Sequence, residues 1–177
     1  MYTGRLAADK NIETLISAFA NSSAPDQDAQ LIIIGNGPMK SILEQSVATM
    51  NISQSVKFVD YIPQDDLVHY YRAADLTAIT SDKLETFCMV ALEAIACECP
   101  LVVTDQVPEI TAAFPDVATI SPFDTNALSK YIDIALDQKL PPTYKDPVFA
   151  YDWNKIVSQY ITLYNETLNA SHADATH

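Results

Sequence analysis

A series of short runs, each apolar almost throughout and rich in β-branched residues, constrains what this chain can become: Ala29–Ile34, Val56–Val59, Leu76–Thr80, Leu101–Thr104 and Val117–Ile120. They are short for helices and too continuous for strands with one wet face, so they read as strands buried on both sides. Helical patterns separate them: Asn11–Asn21, Met39–Met50, Pro63–Ala74 with proline at its mouth, a strongly apolar helix carrying Glu93, a short Pro108–Phe114, and Thr125–Leu136. Alternating helices and buried strands predict an α/β protein built on a doubly wound parallel sheet. The connector Leu140-Pro141-Pro142 leads to a last helix from about Asp152 to Asn169, and 171–177 reads as a disordered tail. The expected organisation is a domain over 1–150, a helix over 151–170 packed on it, and the tail.

Glu93 is the only charge in the run from Phe87 to Cys97. A helix apolar nearly all round is a buried helix, and a carboxylate within it is costly unless something polar meets it. Glu85 stands eight positions earlier, in the polar stretch between the Leu76–Thr80 strand and this helix. Loops at the carboxyl ends of parallel strands line the ligand crevice of such sheets. Two carboxylates converging there suit the gripping of hydroxyl groups; a Glu93 bonded only to protein neighbours is the competing reading. Near the start, Gly4-Arg5-Leu6-Ala7-Ala8-Asp9-Lys10 opens a helix whose apolar positions are Ile12, Leu15, Ile16 and Phe19. Glycine and two cations at a helix mouth, where acids are normally favoured, call for an anionic partner.

The 177 residues make one domain of ordinary size, with 49% hydrophobic residues and a net charge of −13. That charge and the absence of a basic stripe exclude nucleic acid as a partner. It also sets Arg5 and Lys10 apart as cations concentrated at one place. No apolar run is long enough to span a membrane and no basic, apolar leader opens the chain. Cys88, Cys97 and Cys99 are an odd, clustered set in or beside the apolar helix, so reduced thiols and a cytoplasmic location are expected. Cys97-Glu98-Cys99 lacks the spacing of a zinc or thioredoxin-like site, and no metal is expected. The Asn-x-Ser/Thr tripeptides at Asn21, Asn51, Asn165 and Asn169 read as chance matches without a secretion signal. Gly35-Asn36-Gly37-Pro38 fails as a dinucleotide fingerprint because Lys40 stands at the third glycine. A receiver domain is disfavoured, since no early acidic pair accompanies Asp60 and Asp105.

These motifs, in this order, resemble the C-terminal donor-binding half of retaining GT-B glycosyltransferases of the group often called glycosyltransferase family 4. Gly4-Arg5-Leu6 with Lys10 looks like the family's phosphate clamp, and LIIIGNGP over Leu31–Pro38 is similar to its strand and G-x-G-P turn. VKFVDYIP over Val56–Pro63 resembles the segment lying against the nucleotide base, and ETFCMVALE over Glu85–Glu93 matches the E-x7-E motif. Ala73-Ala74-Asp75 precedes a strand as in the family, and Trp153–Tyr164 resembles the closing helix. The resemblance implies a Rossmann-like sheet and a nucleoside-diphosphate sugar as donor. It gives Arg5, Lys10 and Glu85 catalytic roles: the cations hold the diphosphate and Glu85 addresses the sugar ring. Donor binding would fall to Gly4, Gly35, Gly37, Ile62, Phe87, Cys88, Met89, Val90 and Glu93, with Glu93 on the ribose hydroxyls. No metal or other cofactor is implied, because the two cations stabilise the leaving phosphate.

The family's acceptor binds a separate N-terminal domain. Only Tyr2 and Thr3 stand between Met1 and the clamp glycine, too few for a full leading strand. The expectation is a domain that binds a nucleotide sugar and transfers no sugar alone, with self-association through exposed apolar surface. When full length, the protein could also sit at the inner face of the membrane. Glycines usual in the family are absent at Thr86, Cys88, Glu98 and around Asp105–Glu109; the chain has only three glycines. Those departures favour a rival reading, a non-catalytic glycosyltransferase-like partner with a degenerate donor site.

Overall fold

In the computed structural model, residues 1–138, 140 and 150–174 are described, with side chains to residue 167. The chain forms two compact units, Met1–Tyr144 and Lys145–His177. Pro141 and Pro142 of the expected connector lie outside the described residues.

The first unit alternates strands and helices as the apolar runs predict. The strands are β1 (Tyr2–Thr3), β2 (Leu31–Ile34), β3 (Val56–Val59), β4 (Thr77–Ile79), β5 (Leu101–Thr104) and β6 (Ala118–Ile120). The helices between and after them are α1 (Ile12–Asn21), α2 (Lys40–Thr49), α3 (Gln64–Ala73), α4 (Met89–Ala96), α5 (Pro108–Ala113) and α6 (Thr125–Asp137). Pairing is parallel throughout, in the orders β1-β2-β3 and β4-β5-β6. Two bonds join these ladders through Met1. Its ammonium donates to the Leu76 carbonyl, and the Ala78 N–H donates to the Met1 carbonyl at 3.0 Å. That is the pattern of one parallel rung, so the strands follow the order 3-2-1-4-5-6 and the doubly wound α/β architecture holds. The two ladders meet at a single rung because β1 is only two residues long. Strand order reverses between β1 and β4, and ligands of such sheets bind at the carboxyl ends beside that point.

α1 is amphipathic for a physical reason visible in its spacing. Ile12, Leu15, Ile16 and Phe19 fall on one face and are all buried. They meet Leu43 and Val47 of α2, Leu128 and Ile132 of α6, and Leu31 and Ile33 of β2. Burying each such side chain is worth about 1.5–3 kcal/mol. A cavity of about 600 Å³ opens at the amino ends of β2 and β4, lined among others by Met1, Leu31, Leu76 and Ile132. It lies at the edge opposite to the one where the sequence motifs gather.

α4 differs from the expectation of a wholly buried helix. Ala91, Leu92, Ala94 and Ile95 are buried, but Met89 is half exposed. The helix stops at a hydrogen-bonded C-terminal motif: Glu98 N–H donates to Ile95 O at 3.0 Å and Cys99 N–H to Ala94 O at 2.9 Å. This arrangement requires a left-handed residue, ordinarily glycine, and here Glu98 takes it at φ 61°. Glu98 therefore sits at the carboxyl end of α4, one helix length away from Glu85.

In the second unit, α7 spans Trp153–Asp174, past the Asn169 expected from the sequence and into the stretch read as tail. It leaves Trp153, Tyr160, Ile161 and Tyr164 exposed. Tyr160 and Tyr164, one helical turn apart, bring their ring centres to 6.4 Å. Among the described residues no helix is long and apolar enough to cross a membrane.

Two stability effects follow. Glu98→Gly removes a left-handed penalty of roughly 1–2 kcal/mol and returns part of it as unfolded-chain entropy. A net gain of about 0.5–1 kcal/mol is expected, read as a higher urea midpoint at unchanged slope. Gly35→Ala acts the other way: a Cβ there would meet the Gly4 carbonyl oxygen at 1.9 Å, and the backbone stands at φ +139°. A loss of about 3 kcal/mol or more is expected in the same measurement.

Candidate functional site

The loops after β1, β2, β4 and β5 all leave the same edge of the sheet. Hydrogen bonds fasten them to one another. Gly4 N–H donates to Ile34 O at 3.0 Å, Leu6 N–H to Asn36 O at 2.9 Å and Met39 N–H to Leu6 O at 3.0 Å. Gly35 and Gly37 lie under this contact; a Cβ on Gly37 would meet the Leu6 carbonyl oxygen at 2.3 Å. These two glycines thus serve the docking of one loop on the other. The buried Tyr2 hydroxyl donates to the Arg5 carbonyl at 3.1 Å from below. Burial pushes that phenol well above its ordinary range, and it stays a donor.

The loop after β4 docks on the same cation loop from the other side. Thr80 Oγ1 donates to Lys10 O at 2.8 Å and Asp82 N–H to Asp9 O at 3.1 Å. Glu85 N–H reaches Gln106 O, in the loop after β5, at 2.8 Å. Asn11, left-handed at φ 47° and buried, turns the chain into α1. Its Oδ1 accepts from Thr14 Oγ1 at 2.9 Å, while its Nδ2 and Asp82 Oδ1 are buried without a hydrogen-bond partner.

The charged groups meet across this junction. Lys10 Nζ bonds Glu85 Oε1, joining residues 75 positions apart in sequence. Ser81 Oγ donates to the same oxygen at 2.5 Å. Asp9 lies between the two cations, 3.7 Å from Lys10 Nζ and 3.4 Å from Arg5 Nη2. Arg5 is largely exposed, whereas Lys10 and Glu85 are mostly covered. Sequence reasoning picked out Arg5, Lys10 and Glu85 but missed Asp9 and Ser81. Asp9 had a visible signal, being four residues after Arg5 and adjacent to Lys10.

Glu93 stands on α4, a turn and more from its start. It is neither enclosed nor bound to a cation among the described residues. Tyr71 OH donates to Oε2 at 2.9 Å and Gln64 Nε2 to Oε1 at 3.0 Å. Both partners come from α3, two turns apart and so on one face. Neither was legible in the sequence. Cys88, the residue before α4, is buried; burial pushes its thiol up to about 11, and the charges of Glu85, Lys10 and Glu93 all act on it. Phe87 and Met89 are about half exposed beside it, and Ile62 and Val90 half-buried. Thr86 and Cys88, where the resemblance expects glycine, have no positive φ, so the backbone here does not demand glycine.

The comparisons with known proteins agree with this architecture. The family model described as glycosyl transferases group 1 matches residues 1–148. An uncharacterized glycosyltransferase of Methanocaldococcus jannaschii is 28% identical over 172 residues, covering 93% of this chain and 44% of its own length. N-acetyl-alpha-D-glucosaminyl L-malate synthase of Bacillus anthracis is 29% identical over 167 residues, with coverage of 90% and 43%. The chain thus spans less than half the length of these curated relatives. Among solved structures, sucrose-phosphate synthase from Thermosynechococcus elongatus superposes with a TM-score of 0.81 at 29% identity, over 96% of this chain and 45% of that one. Anabaena HepE in complex with UDP-glucose shares the fold, with a TM-score of 0.74 at 24% identity, over 96% of this chain and 48% of that one. Parallel strands in the order found here, the loop constellation at their carboxyl ends and a family match over most of the length lead to one conclusion: the chain belongs to the glycosyl transferases group 1 family, with the fold of one half of a GT-B glycosyltransferase.

Proposed function

We propose that this chain is the donor-binding half of a retaining glycosyltransferase that takes a nucleoside-diphosphate sugar. The observation that carries the reading is the ion pair that joins Lys10 to Glu85 across the junction of the loops after β1 and β4, at the strand-order reversal, with Arg5 linked to Lys10 through Asp9. HepE, a structural neighbour, binds UDP-glucose, which supports the same class of ligand here.

In this reading the donor diphosphate takes the place of Asp9 as the partner of Arg5 and Lys10. Arg5 offers a planar fork of donors and Lys10 a point charge. As the bond between the anomeric carbon and phosphate oxygen breaks, negative charge grows on the leaving diphosphate, and fixed cations stabilise it most where water is excluded. The acceptor oxygen bonds to the same carbon from the face the phosphate leaves, and its proton passes to the leaving phosphate. Glu85, held by Lys10 and Ser81, faces the sugar. Glu93 accepts from the ribose hydroxyls. No protein nucleophile and no metal is required. The acceptor and the rest of the cleft belong to a second, N-terminal domain, so transfer is a property of the two together. The rival, a non-catalytic module, rests on the glycines missing at Thr86, Cys88, Glu98 and around Asp105–Glu109; Thr86 and Cys88 have no positive φ and Glu98 terminates α4, so backbone handedness at these three positions does not favour it.

Titration calorimetry with UDP, GDP and ADP tests the reading. At least one is expected to bind, and Lys10→Ala to weaken it by about 1.5–3 kcal/mol, the range for a hydrogen bond to a charged group. Absence of binding by all three, or indifference to Lys10, overturns it. Incubation of the 177 residues with nucleotide sugars and acceptors is expected to give no glycosylated product; turnover would overturn the two-domain assignment.

A further inference from the structure

Glu93 is held in two unlike ways. Its Oε2 accepts from the hydroxyl of Tyr71, a residue only 1% exposed on the last turns of α3. Its Oε1 accepts from the side-chain amide of Gln64, an exposed residue at the first position of the same helix. We propose that Tyr71 is a positioning residue that fixes the Glu93 carboxylate, and that Gln64 is a placeholder which the ribose hydroxyls of the donor nucleotide displace. The proposal rests on the reading of the site as a nucleotide-sugar site and adds the residues that make it discriminate ribose.

The two contacts differ in what it costs to break them. Tyr71 cannot leave Oε2 without withdrawing its ring from the core, and its own hydroxyl, on a residue 1% exposed, would lose its acceptor at a desolvation cost. Its phenol also stays protonated, because burial and the neighbouring carboxylate both push its pKa far above the ordinary value. Gln64 is a surface side chain at a helix start. Its amide exchanges Glu93 for water at low cost, because this contact is exposed and both groups stay solvated when it opens. A carboxylate has about four lone-pair sites. Tyr71 uses one on Oε2. Once Gln64 swings away, a vicinal diol donates one hydroxyl to Oε1 and the other to the second site on Oε2. Two O–H donors meet an acceptor-only group, and a 2′-deoxyribose brings one donor fewer. Among the described residues no lysine or arginine forms an ion pair with Glu93, which leaves the carboxylate's charge for these donors.

The two substitutions are expected to act with opposite sign. Calorimetry with UDP, GDP or ADP, whichever binds best, is run beside the matching 2′-deoxy nucleotide on wild type, Tyr71→Phe and Gln64→Ala. Wild type is expected to favour the ribonucleotide by about tenfold or more, the value of a charge-assisted hydrogen bond. Tyr71→Phe, which keeps the ring in the core, is expected to weaken the ribonucleotide by about tenfold and the deoxy form much less, so that the preference shrinks. Gln64→Ala is expected to tighten the ribonucleotide by roughly two- to fivefold, since no bond has to be exchanged. Equal weakening of both nucleotides by Tyr71→Phe marks a merely structural tyrosine and overturns the positioning role. Weaker binding, or no change, in Gln64→Ala overturns the placeholder role, and that surface variant does not depend on the core. If folded wild type binds no nucleotide at all, the nucleotide-site reading fails and this inference with it; binding with an unaltered ribose preference in both variants sinks the inference alone.

Discussion

The close approach of two backbone loops governs the rest of this structure. Gly35 and Gly37 let the turn after β2 lie against the carbonyls of Gly4 and Leu6, where a single methyl group would collide with backbone oxygen. That contact fixes where Arg5 leaves the sheet and where the short turn Ala8–Lys10 begins. The same turn receives Thr80 and Asp82 from the other half of the sheet. Lys10 can reach Glu85 only because both loops are pinned to one another through main-chain atoms. The side-chain constellation is thus a consequence of backbone packing, which tolerates little adjustment, and the charges are placed before any ligand arrives.

Electrostatics then sets the state in which those charges wait. A chain of net charge −13 has acid to spare, and it uses Asp9 and Glu85 to neutralise its two clamp cations locally. Cations left bare in such a protein would attract whatever anion passed. Arg5, itself largely exposed, costs little to release from Asp9, since surface ion pairs are worth about 0–1 kcal/mol. Under the proposed donor-site reading, a diphosphate would compete well against a single carboxylate because it brings more charge and more acceptor oxygens to the same donors. Arg5, the more exposed partner, is the easier to recruit, and Lys10, covered and bonded to Glu85, sets the geometry.

The sequence showed the sheet more clearly than the site. Continuous apolar runs at Leu31–Ile34 and Leu101–Thr104 leave strands buried on both faces as the only economical reading, and the one-sided pattern of α1 is equally direct. Arg5 and Lys10 stood out because cations at a helix mouth conflict with local preference, and Glu85 because it lies on a strand-end loop eight positions before a carboxylate in an apolar helix. Tyr71 and Gln64 gave no such signal: each suits its helix, and its meeting with Glu93 exists only once α3 packs beside α4. Glu98 was hidden for a different reason: its position answers to helix termination, a matter of backbone handedness that composition conceals.

That same handedness has a consequence for the chain as a whole. Among the described residues, Asn11, Asp28, Asn51, Glu98 and Phe123 occupy the left-handed region, which glycine would ordinarily fill. Asn and Asp bear it at modest cost because their short side chains bond locally; Glu and Phe do not. Each such residue is also stiffer than glycine in the unfolded chain, so less backbone freedom is lost when the turn forms. The protein has thereby moved part of the expense of its turns from entropy to strain. Strain, unlike the entropic term, does not grow in proportion to temperature, so turns built this way lose ground more slowly on warming than glycine turns of equal stability at rest.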